Sequence, residues 1–121
     1  MRMRNLSAAV LAAAFLSFSA VAGGQTPADG FMVVNADGTV ARATDGYSIF
    51  KFATGGYEVT HTTWVYNCAF SITDGTSDAT APAQGFATAV GRRESPELID
   101  IATYDASGNR ADRGFHLIVR C

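Results

Sequence analysis

Cysteine and histidine are the side chains of this sequence that could act as a nucleophile, a base or a metal ligand, and the chain has two of each. Cys68 follows His61 by seven residues, so a bend between them could bring a thiol to an imidazole, as a Cys–His enzyme requires. The competing role for Cys68 is a disulfide with Cys121. Because the chain begins with an export signal, described below, the even cysteine count favours this disulfide, which we predict. A free Cys68 and an intermolecular bridge through Cys121 are the alternatives.

Metal binding is not predicted. Zinc normally takes three or four N, S or O ligands, and a disulfide removes both thiolates, so His61 and His116 are the only nitrogen and sulfur ligands left. The loop that contains Asp74 and Asp78 offers carboxylates for calcium, but it lacks the regular alternation of oxygen ligands and the distal glutamate of a calcium loop. We therefore interpret this loop as a series of turns, and we predict no cofactor.

Catalytic residues are not predicted either. The Gly-x-Ser-x-Gly elbow of serine hydrolases is absent from the sequence. Glu58, Glu94, Glu97 and Asp100 could supply paired carboxylates for glycoside hydrolysis, but their spacing singles out no pair. Asp112, which precedes the last predicted strand, is interpreted as a residue that shapes a turn.

Trp64 and Tyr66 have two opposed interpretations. Even positions are apolar from Trp64 to Ile72, which favours a core position for both aromatic residues. The apolar positions are odd before this point, at Val59 for example, so a bend or bulge is predicted near Thr62-Thr63. If this bend leaves Trp64 at the rim, its indole beside Tyr66 would form a platform on which a sugar ring can stack.

Short strands are the elements that would position these side chains. In the last segment Phe115, Leu117, Val119 and Cys121 alternate with outward residues, which predicts a closing strand with its apolar side, and the thiol, toward the interior. Cys68 shares the parity of its apolar neighbours, so both thiols are expected to face inward. Glycine and aspartate turns separate the strands, and no helical period occurs outside the leader. The fold class is predicted as all-β, an antiparallel sandwich of about seven strands, Ig-like or H-type-lectin-like.

The N-terminus predicts export. Arg2 and Arg4 precede an uncharged apolar stretch over residues 6–20, and Ala20-Val21-Ala22 has the small-x-small pattern of a cleavage site. We predict a signal peptide over residues 1–22, a flexible lead-in over 23–30 and one β-sandwich domain over 31–121, secreted or periplasmic. A retained membrane anchor is the alternative, although the stretch is shorter than the roughly 20 residues that span a bilayer.

The charge of the exported part excludes some partners. Loss of Arg2 and Arg4 reduces the nine Lys and Arg to seven, against eleven Asp and Glu, so the net charge is about −4. Lys51 is the only lysine and Arg92-Arg93 the only basic pair. Nucleic acids and anionic membranes need clustered basic side chains. We predict no nucleic-acid partner, and no membrane partner after signal cleavage.

Five runs of the sequence carry a resemblance: residues 36–42, 55–60, 67–70, 103–109 and 112–121. Together they resemble a secreted bacterial domain found in many proteins of unknown function. They are similar, more loosely, to the C-terminal β domains of phage tail fibres and to H-type lectins. That resemblance implies a compact antiparallel sandwich, often trimeric or hexameric, that binds carbohydrate or another surface ligand without catalysis. His61 departs from the pattern, which prefers an aromatic residue there, and Trp64 replaces a polar turn residue.

The expected function is therefore an exported, non-enzymatic binding or structural module for carbohydrate or a surface protein, forming a homo-oligomer. Candidate ligand-binding residues are Trp64, Tyr66, Asp74 and Asp78. The alternative is a small envelope enzyme or an inhibitor of one. A third hypothesis is that the protein is a subunit whose exposed edge strand pairs with a larger partner.

Overall fold

The structure, a computed structural model, describes residues 27–121. Eight strands follow one another in this range: β1 (Gly30–Val34), β2 (Val40–Ala43), β3 (Tyr47–Ala53), β4 (Gly56–His61), β5 (Ala69–Asp74), β6 (Gly85–Gly91), β7 (Leu98–Asp105) and β8 (Phe115–Arg120). Sheet A has the order β2-β1-β8-β5 and sheet B the order β3-β4-β7-β6, and all pairings are antiparallel. The predicted all-β antiparallel sandwich is confirmed, with eight strands.

The predicted signal peptide, residues 1–22, lies outside the described residues. Within residues 27–121 there is no helix with the length and apolar character needed to cross a membrane.

The central strands of each sheet supply the core. Their core-facing side chains follow the strand period of two: Met32 and Val34 on β1, Tyr57 and Val59 on β4, Ile99 and Ile101 on β7, and Phe115, Leu117 and Val119 on β8. On β1 the intervening Val33 is buried as well. The predicted closing strand is thus confirmed as β8, and it lies in the middle of sheet A. Tyr57 and Phe115 join the two sheets, with ring centroids 5.3 Å apart and the rings edge to face.

A turn at Asp37-Gly38 connects β1 to β2. Gly38 has a φ of 90°, a conformation that side chains with a Cβ rarely adopt. Asp37 Oδ1 accepts hydrogen bonds from the hydroxyl and the backbone N–H of Thr39, at 2.6 and 2.9 Å. These bonds hold the pKa of Asp37 below its ordinary value. The Asp-Gly step, which favours tight turns, therefore forms the hairpin between β1 and β2.

Strand directions give the sandwich two ends. Residues 44–46, 62–68, 92–97 and Cys121 lie at one end, which we call the disulfide pole. Residues 28–30 of the predicted lead-in also pack there. Ala28 is buried, and Gly30 begins β1 opposite Val119. The opposite end carries the loops 35–39, 54–55, 75–84 and 106–114.

Candidate functional site

Residues 62–68 carry the chain from β4 in sheet B to β5 in sheet A, across the disulfide pole. Val65 at the centre of this crossing is fully buried. Its N–H donates to the carbonyl of Pro96 at 2.7 Å, and its own carbonyl accepts from Cys68 N–H at 2.9 Å. Trp64 and Tyr66, on either side of Val65, therefore point away from the core.

The indole of Trp64 is 76% exposed, and Tyr66 is 37% exposed. The favoured core position of these two residues is wrong, and their position at the rim is right. The even alternation holds for Phe70 and Ile72, but β5 begins only at Ala69, so it does not extend back to residue 64. The predicted bend is present, since β4 ends at His61, immediately before Thr62.

A cleft of about 420 Å³ opens beside these aromatic side chains. Trp64, Tyr66, Asn67, Arg93 and Pro96 line it, together with the two cysteines. This volume lies within the usual range for sites that bind small molecules, about 300–1,000 Å³. The lining combines aromatic faces with an amide and a guanidinium, so it can stack on a flat apolar surface and hydrogen-bond at its edge.

Arg93 fixes the orientation of Tyr66. Its Nε donates to the Tyr66 hydroxyl at 3.1 Å, and its guanidinium lies 5.9 Å from the ring centroid. Such a contact adds a cation–π attraction to the hydrogen bond. The sequence showed Arg92 and Arg93 as a basic pair, but it did not indicate that Arg93 points to Tyr66 while Arg92 points to sheet B. The missed site residues are therefore Arg93 and Asn67, and the basic pair was the only signal for the first.

The predicted disulfide is confirmed: Cys68 is bonded to Cys121, and neither cysteine is free. It joins the start of β5 to the end of β8, next to the registered pair Ala69 and Arg120. The expected inward position of both thiols is wrong for Cys121, which is exposed because it lies beyond the last residue of β8. The disulfide consequently lines the cleft at the rim of the sandwich, and the backbone N–H of Cys121 donates to Asp29 Oδ1 at 2.8 Å.

His61 supports the crossing from inside. Its ring is buried, and its centroid lies 4.3 Å from that of Tyr47. Nδ1 accepts a hydrogen bond from the backbone N–H of Thr63 at 2.9 Å, which assigns the proton of the neutral ring to Nε2. Among residues 27–121 no three His, Cys, Asp or Glu side chains converge on a common point that could hold a metal. The geometry gives His61 a structural role at the start of the loop.

Asp74 and Asp78, the other predicted ligand residues, lie at the opposite end of the sandwich. Asp74 ends β5, about 17 Å along the strand from Ala69 at the usual rise per residue. Asp78 Oδ1 accepts from the hydroxyl and the N–H of Thr80, at 2.5 and 3.0 Å, which lowers the pKa of Asp78 and shapes the loop. Burial raises the pKa of Asp74 above its ordinary value, and the positive charge of Arg113 opposes this shift only in part. The structure therefore separates the four predicted ligand residues into two pairs.

Carboxylates that could serve catalysis form a different group. Glu58 and Asp100 are registered partners on β4 and β7, and Arg92 pairs with both, at 3.5 and 2.6 Å. Asp112 accepts from Gly55 N–H at 2.8 Å and pairs with Lys51 at 3.1 Å; these contacts lower the pKa of Asp112 and agree with a turn-shaping role. None of these carboxylates lines the cleft at the disulfide pole.

Tyr47 makes the disulfide pole sensitive to alkali. Its hydroxyl donates to the Ala28 carbonyl, and burial, with a smaller effect of Asp29, raises the pKa of Tyr47 from 10.0 to about 12. The folded state thus holds this proton more tightly than the unfolded chain. The stabilisation is complete below pH 10.0 and is lost as the pH rises to about 12. We therefore expect the melting temperature of Tyr47→Phe to fall less than that of the wild type between pH 10.0 and about 12.

Circular dichroism melts across the same pH interval measure this effect. Tyr104→Phe, on the outer face of sheet B, is the matched control and should follow the wild type. Equal losses in Tyr47→Phe and the wild type would contradict the assignment.

Comparison with known proteins identifies no relative. No protein-family model matches the sequence, and neither a curated protein nor a solved structure matches it significantly. The similarity to phage tail-fibre domains and H-type lectins therefore stays a prediction. The function proposed below is based on the described residues themselves.

Proposed function

We propose that this protein is an exported, non-enzymatic binding module that binds carbohydrate in the cleft at the disulfide pole. The observation that carries the proposal is the indole of Trp64, 76% exposed beside Tyr66 and the guanidinium of Arg93. An exposed indole leaves a large apolar area in water, and stacking on the apolar face of a sugar ring removes that area from water. Asn67 and Arg93 supply hydrogen-bond donors for sugar hydroxyls or a sugar carboxylate.

The cleft is held in position before any ligand arrives. Buried Val65 fixes the backbone between the two aromatic residues, Arg93 fixes the Tyr66 ring, and the disulfide ties the end of the loop to β8. A site that is already ordered loses less conformational entropy when it binds, so more of the contact energy remains as affinity. This supports recognition by a rigid rim and not by a loop that orders on binding.

The predicted export of the protein supports the proposed carbohydrate binding. The sequence of residues 1–22 has the pattern of a signal peptide, and the Cys68–Cys121 disulfide is the kind of bond that persists in oxidising compartments. We propose a secreted or periplasmic location, in which glycans of a cell surface or envelope are available ligands. A surface protein that inserts into the same cleft is the other partner class predicted from the sequence.

The enzymatic alternative, a small envelope enzyme or an inhibitor of one, has less support from the described residues. A Cys–His nucleophile needs a free Cys68, and Cys68 is bonded to Cys121. The carboxylates that converge, Glu58 and Asp100, both pair with Arg92 and lie on sheet B away from the cleft.

A glycan panel tests the proposal. We expect the oxidised protein without residues 1–22 to bind at least one neutral or acidic oligosaccharide, and Trp64→Ala to weaken that binding about tenfold or more, since an aromatic stacking contact contributes on the order of 1 kcal/mol beyond burial. Titration calorimetry measures both affinities.

The matched control is Phe31→Ala, which removes a 40% exposed aromatic side chain from β1 in sheet A, outside the cleft. It should bind as the wild type does. Absence of any glycan binding, or equal affinities in Trp64→Ala and the wild type, would refute the carbohydrate function.

A further inference from the structure

The cleft at the disulfide pole has a positive charge. Within residues 27–121, Arg93 is the only residue with a charged side chain that lines this cleft, and no aspartate or glutamate lines it. The chain without residues 1–22, in contrast, has an excess of about four negative charges. A local positive site on an acidic protein attracts anions and repels cations, so it distinguishes ligands by their charge.

The charge of Arg93 is not compensated within the fold. Its neighbour in sequence, Arg92, pairs with Glu58 and Asp100. Arg93 forms no ion pair in the part of the chain that the structure describes, and the hydrogen bond that it makes there runs from Nε to the Tyr66 hydroxyl. The side chain is exposed to water. Its Nη1 and Nη2 atoms are therefore available to a ligand.

The contact with Tyr66 decides which edge of the guanidinium a ligand meets. The hydroxyl accepts from Nε at 3.1 Å, so the Nε edge of Arg93 is occupied. The opposite edge carries two parallel N–H groups, one on Nη1 and one on Nη2. This fork matches the two oxygens of a carboxylate, and such bidentate pairs combine charge with fixed geometry. Tyr66 thus orients the guanidinium toward a planar anion.

We propose that the ligand of this cleft is an acidic carbohydrate with a sugar carboxylate, such as a hexuronic acid, and that Arg93 determines this specificity. The inference rests on the carbohydrate function proposed above. The apolar face of the sugar ring stacks on Trp64, and the carboxylate accepts two hydrogen bonds from Nη1 and Nη2 of Arg93. Trp64 contributes affinity for charged and uncharged sugars alike, whereas Arg93 selects the charged one.

Oligosaccharide pairs that differ only in charge test this specificity. Each pair consists of a uronic acid oligomer and its methyl ester, which presents the same ring faces without the charge. We expect titration calorimetry on the oxidised chain without residues 1–22 to show at least one acid bound about tenfold more tightly than its ester, because charge-assisted hydrogen bonds are roughly twice as strong as neutral ones. Added salt should weaken binding of the acid and not of the ester. In Arg93→Gln, the acid should bind no more tightly than the ester.

Tyr66→Phe separates the charge of Arg93 from its orientation. This variant removes the hydroxyl that accepts from Nε, but it keeps the aromatic ring and the guanidinium. We expect the acid to remain the tighter ligand with a smaller advantage over its ester. An advantage equal to that of the wild type would contradict the orientation of Arg93 by Tyr66.

Arg42→Gln is the matched control. It removes the same charge from strand β2, outside the cleft, where Arg42 donates to the Ser77 carbonyl at 3.0 Å. This variant should keep the preference of the wild type for the acid.

Three results would overturn the inference: equal affinities of the wild type for every acid and its ester, a preference that persists in Arg93→Gln, or tighter binding of a sulfated oligosaccharide than of any carboxylate. If the acid and the ester bind equally and Trp64→Ala weakens both, the carbohydrate function stands and only the specificity fails. Absence of binding to every oligosaccharide would refute both.

Discussion

Removing the Cys68–Cys121 disulfide is expected to lower the free energy of unfolding by about 4 kcal/mol. The two cysteines are 53 residues apart in sequence, so the bond closes a long loop and restricts the unfolded chain more than the folded one. A domain of this size has a total stability of roughly 5–15 kcal/mol. The disulfide is therefore a large part of what keeps the sandwich folded.

The double variant Cys68→Ser/Cys121→Ser tests this effect without leaving a free thiol. Thermal unfolding should show a melting temperature lower by about 15–30 °C, from the entropy of unfolding of a domain this small. The reduced wild type should match the double variant, because both lack the same constraint. A loss below about 1 kcal/mol would mean that the bond contributes little to the fold.

Phe115→Ala is expected to destabilise the protein by about 3–5 kcal/mol. Phe115 is fully buried in central strand β8 and packs edge to face on Tyr57 of the opposite sheet. Truncation to alanine removes the apolar contacts and leaves a cavity between the sheets that neighbouring side chains fill only in part.

Ile118→Ala is the control for this substitution, since Ile118 is on the same strand but half exposed on the outer side. Urea denaturation should show a change within about 0.5 kcal/mol for Ile118→Ala. Similar losses in the two variants would contradict the assignment of β8 to the centre of the core.

The alternation of apolar and polar residues predicted strand β8 and the all-β fold class, because both depend on local spacing. The even cysteine count predicted the disulfide. Alternation failed at Trp64, where it could not show that β5 begins only at Ala69. What decides the orientation there is the bond from Val65 N–H to the Pro96 carbonyl, which joins residues far apart in sequence. Long-range contacts of this kind leave no periodic signal.

The exposed side chains were harder to place from the sequence than the fold. Tyr47–Ala53 has apolar residues on both sides of the strand, so the sequence could not show that Phe50 and Phe52 would face water while Ile49 faced the core. Arg92 and Arg93 are adjacent in sequence but point to different surfaces, one to Glu58 and Asp100 and the other to Tyr66. Only the three-dimensional structure separates their roles.

The fluorescence of Trp64 tests the proposed binding cleft most directly, because Trp64 is the only tryptophan in the chain and light that excites tryptophan but not tyrosine gives a signal from this residue alone. The proposed function predicts that the native protein emits at the wavelength of a water-exposed indole, and that a bound oligosaccharide shifts this emission to the blue as it covers the ring. Native emission already typical of a buried indole, moving to the red only on unfolding, would contradict the exposed platform on which the proposed carbohydrate binding depends.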